Sequence, residues 1–263
     1  RLGVMIPLFS VRSRRQVGIG DAADLFALTD WCVQVGMSVI QILPINDMGM
    51  DNIPYCALSA FALDPVYLAL DRVREIMDDP DLSLRLDALR EALNHSVRVD
   101  YAAVRAGKMG LLRAAFAKVD PAVLRDRLRP FSIEHPWLDG YVLYRAIKEV
   151  EAFHGWEDWG PRYADEEQRR DFAAEHADDM AFFAWLQLLL CEQFGEARAY
   201  ANARGVLIEG DIPILVSRDS ADCWLHPELF HMDASAGAPP DLVCPLLLER
   251  KNPTYDWDAL RRT

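Results

Sequence analysis

A strand–loop–helix–strand succession opens the chain and constrains its fold more than any other feature. Residues 4–9, Val4-Met-Ile-Pro-Leu-Phe9, form a short apolar run that predicts a buried strand. The loop over 10–20 is basic at Arg12, Arg14 and Arg15 and then carries Gly18 and Gly20. Asp21 is a good N-cap for the helix that follows. Leu25, Leu28, Trp31, Cys32 and Val35 recur at helical spacing, and Gly36 supplies a stop. Ser38-Val-Ile-Gln-Ile-Leu43 then repeats the buried-strand pattern and is closed by Pro44. Two strands joined through a helix form a βαβ unit, whose crossover makes neighbouring strands parallel. The fold class is therefore α/β.

The regular alternation stops after that unit. Residues 44–65 show neither a helix nor a strand period, yet hold Asn46, Asp47, Asn52, Pro54, Tyr55, Ser59 and Asp64-Pro65. A long loop after the C-terminal end of a parallel strand lies where α/β folds place their ligands. From 72 to 180 the pattern is helical, over 72–93, 101–118, 138–153 and 165–184. Pro80, Pro121, Pro130, Pro136 and Pro161 punctuate it. No strand is predicted there, so this stretch reads as an all-helical insertion. The alternation resumes with a helix over 181–204, whose apolar face holds Phe182, Trp185, Leu186, Leu189, Leu190 and Phe194. Residues 206–210 read as a strand that hands over to Asp211. Beyond Val216 the period is weak.

Composition limits what such a chain binds. Of 263 residues, 51% are hydrophobic and 26% charged, which excludes wholesale disorder. Lys and Arg number 28 against 41 Asp and Glu, a formal charge of -13. Such a surface repels phosphate backbones and anionic lipid, which excludes nucleic acid and membrane surface as expected partners. No run of 18 uncharged apolar residues occurs. The cysteines, Cys32, Cys56, Cys191, Cys223 and Cys244, are odd in number and form no CxxC pair. They predict reduced thiols in a cytoplasmic protein.

Several constellations bear on chemistry. Gly18-Ile-Gly20 lacks the third glycine of a dinucleotide fingerprint, and neither a phosphate-binding loop nor a G-x-S-x-G elbow occurs. His226, Glu228 and His231 surround Pro227, which disfavours the helix that would align metal ligands, so no metal is expected. Cys56 has no nameable base partner and reads as a buried neutral thiol. Asp211, at a strand end, is open to two readings: a carboxylate on a catalytic face, or a cap for local amides. Tyr55, Trp224, Tyr255 and Trp257 fall in irregular segments. Exposed rings beside carboxylates suit a sugar, whose C–H face stacks and whose hydroxyls donate. Ordinary packing is the competing reading for each ring.

Several ordered stretches carry a resemblance. They are Leu2-Gly-Val-Met-Ile-Pro-Leu-Phe-Ser10, Val17-Gly-Ile-Gly-Asp21, Gln41-Ile-Leu-Pro44 and Pro54-Tyr-Cys-Ala-Leu-Ser-Ala-Phe61. Farther on come Gly210-Asp-Ile-Pro-Ile214, Asp219-Ser-Ala-Asp-Cys-Trp224, Pro227-Glu-Leu-Phe230, Gly237-Ala-Pro-Pro-Asp241 and Asn252-Pro-Thr-Tyr-Asp-Trp257. The set resembles the 4-α-glucanotransferases of glycoside hydrolase family 77, the amylomaltases or disproportionating enzymes. The helical stretch and the opening residues look nearest to the plant cytosolic branch. The resemblance implies a (β/α)8 TIM-barrel type of fold, here its N-terminal part, with a large helical insertion. Residues 1–71 would be the first barrel units and substrate loop, 72–180 the insertion, and 181–263 later barrel units and an active-site loop.

It further implies retaining transfer of an α-1,4-glucan segment to a glucan or glucose acceptor, with no cofactor. Retaining chemistry needs two carboxyl groups about 5–5.5 Å apart. The family's nucleophile, acid/base and third carboxylate lie beyond the Asn-Pro-x-Tyr-x-Trp stretch, so no catalytic residue is assigned. The implied substrate-binding set is Tyr55, Ser59, Asp211, Asp219, Trp224 and Asp241, toward an α-1,4-glucan or maltooligosaccharide. One loop departs from the family's Gly-Gln-x-Trp-Gly: Leu248 stands for the glutamine, Arg250 for the tryptophan and Lys251 for the second glycine. That departure and the missing carboxylates motivate an alternative, a non-catalytic glucan-binding or degenerate member. An unrelated α/β enzyme is a third reading. A (β/α)8 barrel takes ~250 residues without insertions. The chain is therefore expected to be a piece of one, with edges at Arg1 and Thr263.

Overall fold

The computed structural model describes residues 1–213, 215–230 and 242–243. The chain begins with β1 (Gly3–Met5), α1 (Asp24–Gln34), β2 (Val39–Gln41) and the two-residue β3 (Cys56–Ala57). Helices α2 (Arg74–Met77), α3 (Pro80–Leu93), α4 (Tyr101–Phe116), α5 (Pro121–Glu134), α6 (Leu138–Val150), α7 (Glu166–Glu175) and α8 (Ala177–Ala203) follow. Then come β4 (Leu207–Glu209), β5 (Leu215–Ser217), α9 (Ala221–Leu225) and β6 (Leu242–Val243).

The predicted βαβ unit is present. β1 pairs parallel with β2, Val4 opposite Ile40. β2 pairs parallel with β4, Ile40 opposite Ile208. Since side chains alternate across a strand, Val4, Ile40 and Ile208 share one face and join the core. Met5, 65% exposed, and Leu207, 42% exposed, point the other way. The first strand is shorter than the apolar run over 4–9 suggests, and is not wholly buried. Pro7 has no N–H to continue the ladder, and Leu8–Ser10 turn into a 3-10 helix. A second small sheet pairs β3 parallel with β5, and β5 antiparallel with β6.

The helical stretch contains no strand, as its pattern predicts, but its segments divide differently. α5 was hidden by its prolines. Pro121 occupies the first turn, where a missing N–H costs nothing, and the Asp120 carboxylate accepts from Ala122 N–H at 2.7 Å. The segment expected over 165–184 breaks at His176, so α7 is separate and α8 begins at Ala177. Asp165 and Gln168 form a reciprocal capping box that starts α7. Asp21 does not cap α1 directly. Its carboxylate accepts from Ala23 N–H at 3.0 Å, ahead of the first helical turn.

α8 is the central element. It packs against α1, α5, α6 and α7 and runs into β4. The sequence suggested a single apolar face, but residues 182–190 are buried all round. Gly20 shows why glycine stands in the first loop. A Cβ there would lie 2.2 Å from the Leu8 carbonyl oxygen. Among the described residues, no helix is long and apolar enough to cross a membrane.

Leu186, fully buried on α8, provides the test of this core. Leu186→Ala is expected to cost about 2–5 kcal/mol in urea unfolding, from lost burial and a residual cavity. Leu84→Ala, at a position 70% exposed, is expected to stay within about 0.5 kcal/mol of the parent.

Candidate functional site

Two segments leave the C-terminal ends of neighbouring parallel strands and meet. One follows β2 and carries Tyr55; the other follows β4 and carries Asp211. Their backbones run side by side from the strand ends, Ile42 N–H donating to the Glu209 carbonyl at 2.9 Å. Tyr55 Oη donates to Asp211 Oδ2 at 2.7 Å, across 156 residues of sequence. Asp211 Oδ1 accepts from Ile212 N–H at 2.8 Å. One Asp211 oxygen thus caps a local amide, as the capping reading expects, and the other accepts from the tyrosine. The hydrogen bond to Asp211 raises the Tyr55 phenol above its ordinary range. Exposed apolar groups stand on the same two segments, Met50 (59%), Ile53 (57%) and Ile212 (51%). Polar groups set among exposed apolar ones suit an amphipathic ligand such as a sugar.

Ser59 has a different place. It is buried, and its Oγ accepts from Phe61 N–H at 3.1 Å and Ala62 N–H at 3.3 Å, shaping the turn. Asp219 faces the helices. It accepts from Tyr144 Oη at 2.8 Å, from Trp156 N–H at 3.1 Å and from Lys148 Nζ. Trp224 lies on α9, not in a loop, and its ring packs against Tyr144 and Trp159, with Arg169 over it. For that ring the geometry favours the packing reading. Asp241, His231, Tyr255 and Trp257 lie outside the described residues, as does the departure at Leu248, Arg250 and Lys251. His226 and Glu228 approach to 3.5 Å. Cys56 is buried in β3, as the buried-thiol reading expects.

The segment that carries Tyr55 rests on a polar network drawn from residues far apart in the sequence. Asp47, fully buried, accepts from Gly49 N–H at 2.9 Å and from Tyr141 Oη at 2.6 Å, with Arg145 Nε 3.1 Å away. Gly49 has φ +62°, and a Cβ there would lie 2.6 Å from Leu58 Cδ1, so the turn requires glycine. Arg105 grips Asp64 through two hydrogen bonds, at 3.1 and 3.0 Å. Burial opposes ionisation of Asp47, but the charges of Arg145 and Arg105 and the Tyr141 bond outweigh it. Its carboxyl is held below the usual range. Gln187 of α8 exchanges two hydrogen bonds with Leu63, and Gln193 two with Ala69. Lys108 Nζ donates to the Val66 and Leu68 carbonyls at 2.5 and 2.9 Å. Its burial pushes the amine down to about 8. The available signal was a set of polar residues at positions where the helices would otherwise be apolar.

Asp222 closes the far side. It accepts from Ala60 N–H at 2.9 Å, while Ala221 N–H donates to the Leu58 carbonyl at 2.8 Å. Burial pushes the Asp222 carboxyl up.

Parallel strands β1, β2 and β4, with long loops at their C-terminal ends, place the chain in the α/β class. Solved structures agree. The chain is similar to the amylomaltase from Streptococcus agalactiae in complex with acarbose (TM-score 0.75, 26% identity, 88% of this chain and 47% of that one). Its fold also matches the amylomaltase from Corynebacterium glutamicum (TM-score 0.73, 23% identity, 88% and 32%). The parallel strands β1, β2 and β4 are thus part of a (β/α)8 TIM-barrel fold. The model of the 4-alpha-glucanotransferase family, glycoside hydrolase family 77, matches residues 6–263, and the chain belongs to that family. A curated relative, the 4-alpha-glucanotransferase of Chlamydia pneumoniae, is 37% identical over 244 residues, 91% of this chain and 46% of its own length. The rice 4-alpha-glucanotransferase DPE2 is 32% identical over 271 residues, 99% of this chain and 28% of its own. The chain thus spans about half or less of the length of these relatives.

Asp47, fully buried, and Asp222, half-buried, predict opposite pH responses. Asp47, held low, contributes stability that is complete above its unfolded value of 3.8 and is lost as pH falls through its folded value. Asp222, held high, does the reverse. Its contribution is complete below 3.8 and is lost as pH rises through its folded value. In Asp222→Asn the amide oxygen still accepts from Ala60, but nothing titrates there. Melting temperatures from about pH 3 to pH 7 should therefore lose the descending component expected of the parent. An identical profile in both proteins would refute the assignment.

Proposed function

We propose that this chain forms the donor- or acceptor-holding part of a 4-α-glucanotransferase. The whole protein would move an α-1,4-glucan segment onto another glucan or glucose with retention. The observation that carries this reading is the Tyr55–Asp211 hydrogen bond, at the strand ends of a chain belonging to this family. A carboxylate accepts from sugar hydroxyls, and a half-buried phenol offers both a ring face and a hydroxyl. The acid and nucleophile are expected from carboxylates elsewhere in the whole protein, one ionised and one kept protonated by its surroundings. Transfer exceeds hydrolysis where the glucan seats tightly and excludes water.

Of the six residues suggested by family resemblance, Tyr55 and Asp211 are proposed to touch glucan. Ser59, Asp219 and Trp224 are proposed to hold the walls, and Asp241 is proposed as a further substrate contact. Residues 1–71 and 181–263 are proposed as the barrel units, with 72–180 as the helical insertion. No cofactor is required by this chemistry, and the charge of -13 disfavours nucleic acid. A cytoplasmic location is proposed from the odd number and wide spacing of the cysteines, which form no CxxC pair.

Full-length protein incubated with maltotriose should yield glucose and longer maltodextrins. Asp211→Asn should lower kcat/KM at least about tenfold, ~1.4 kcal/mol, with little change in melting temperature. Tyr55→Ala should weaken glucan affinity. Glucan binding without transfer would instead favour the non-catalytic reading that the departure at residues 242–251 raises. Failure to bind glucan at all would overturn both.

A further inference from the structure

The segment that presents Tyr55 is joined to the helical stretch through one residue. Asp47 N–H donates to the Ala62 carbonyl at 2.9 Å, and the Asp47 carbonyl accepts from Leu58 N–H at 2.7 Å. Its backbone therefore ties the limb over 46–49 to the limb over 58–62, with Tyr55 between them. Its side chain has one oxygen on the Gly49 amide and the other on Tyr141 of α6. Arg145, one turn farther along α6, is also buried. Its Nε is near Asp47 but off the line of a hydrogen bond, and its Nη1 has no acceptor. The guanidinium instead lies 4.9 Å from the centre of the Phe183 ring and 5.2 Å from that of Phe153. The orientation of the Asp47 carboxylate is thus set by the Gly49 amide on its own loop and by the Tyr141 hydroxyl, a hydrogen bond from the helices, and its charge is balanced by arginines.

We infer that Tyr141, with Arg145 behind it, is a positioning residue for glucan binding. It acts through Asp47 on the segment that aims Tyr55 at Asp211. The helical stretch would then tune substrate affinity without touching substrate. This rests on the glucan-binding reading above. A purely packing role for Tyr141 is the competing account, and phenylalanine separates the two. It fills the same space among buried neighbours but has no hydroxyl for Asp47. Asp222 still anchors the 58–62 limb from the other side, so the variant should loosen the 46–49 limb without releasing the whole segment.

The test uses the full-length protein. Tyr141→Phe should raise KM for maltotriose about fivefold, with kcat within about twofold of the parent. Hydrogen exchange should quicken at the amides of Asp47, Gly49 and Leu58. In a Tyr55→Phe background the further rise in KM should shrink to less than about twofold, since residues acting through one element are not additive. Tyr163→Phe, which removes a buried hydroxyl bonded to Glu151 at 2.7 Å, should lower stability alone. Unchanged exchange at those amides would overturn the inference whatever the activity. So would equal KM effects with and without Tyr55, or an equal KM rise in Tyr163→Phe. If the parent neither binds nor transfers glucan while exchange still responds to Tyr141→Phe, the glucan reading fails and the mechanical link stands.

Discussion

A buried carboxylate, Asp47, lies between two arginines and ties the segment that carries Tyr55 to the helices. Taking Asp47 out of water alone costs several kcal/mol. The cost is offset only because Arg145 and Arg105 arrive on α6 and α4, and Tyr141 supplies a hydrogen bond. Asp64 and Arg105 complete a set of two negative and two positive charges. Neither the loop nor the helices keeps these charges buried without the other. Their mutual dependence makes a long irregular loop behave as part of the core.

The same principle accounts for the backbone of that loop. Residues 44–69 form little regular secondary structure, yet their peptide groups need partners where water is excluded. Side chains substitute for neighbouring strands. Asn46 donates to the Ser59 and Ala60 carbonyls, Gln187 and Gln193 each exchange two bonds, and Lys108 donates to two carbonyls. The outward side is left for Tyr55 and Asp211, which bond each other and stand among exposed apolar side chains. A polar pair held by a firm base loses little further freedom when a ligand replaces its neighbouring water.

Much of the fold was readable along the chain. The apolar runs over 4–9, 38–43 and 206–210 located β1, β2 and β4, and helical spacing located α1, α3, α4 and α6. Errors came where one residue type serves two purposes. Pro121 starts α5 instead of separating helices, and Pro7 stops β1 halfway along its apolar run. Trp224 had no visible period because α9 is only five residues long. In the site, Tyr55 and Asp211 were identified as residues but not as partners. Arg105, Tyr141, Arg145 and Gln187 were not identified, since a polar residue within a helical pattern resembles a solvated one until its neighbours are known.

The sequence by itself determined the α/β class, the helical stretch within it, and the family whose ordered motifs the chain carries. The class and the helical stretch follow from short-range rules, in which backbone propensity and hydrophobic period are written in consecutive residues, and the family from the resemblance of the ordered motifs. Tertiary structure alone decided that Asp211 meets Tyr55, that Asp219 turns to the helices, and that Asp47 is buried against α6. Each of those depends on which distant elements come together. A charge is stable in the interior only when its counter-charge has been brought there by another part of the fold.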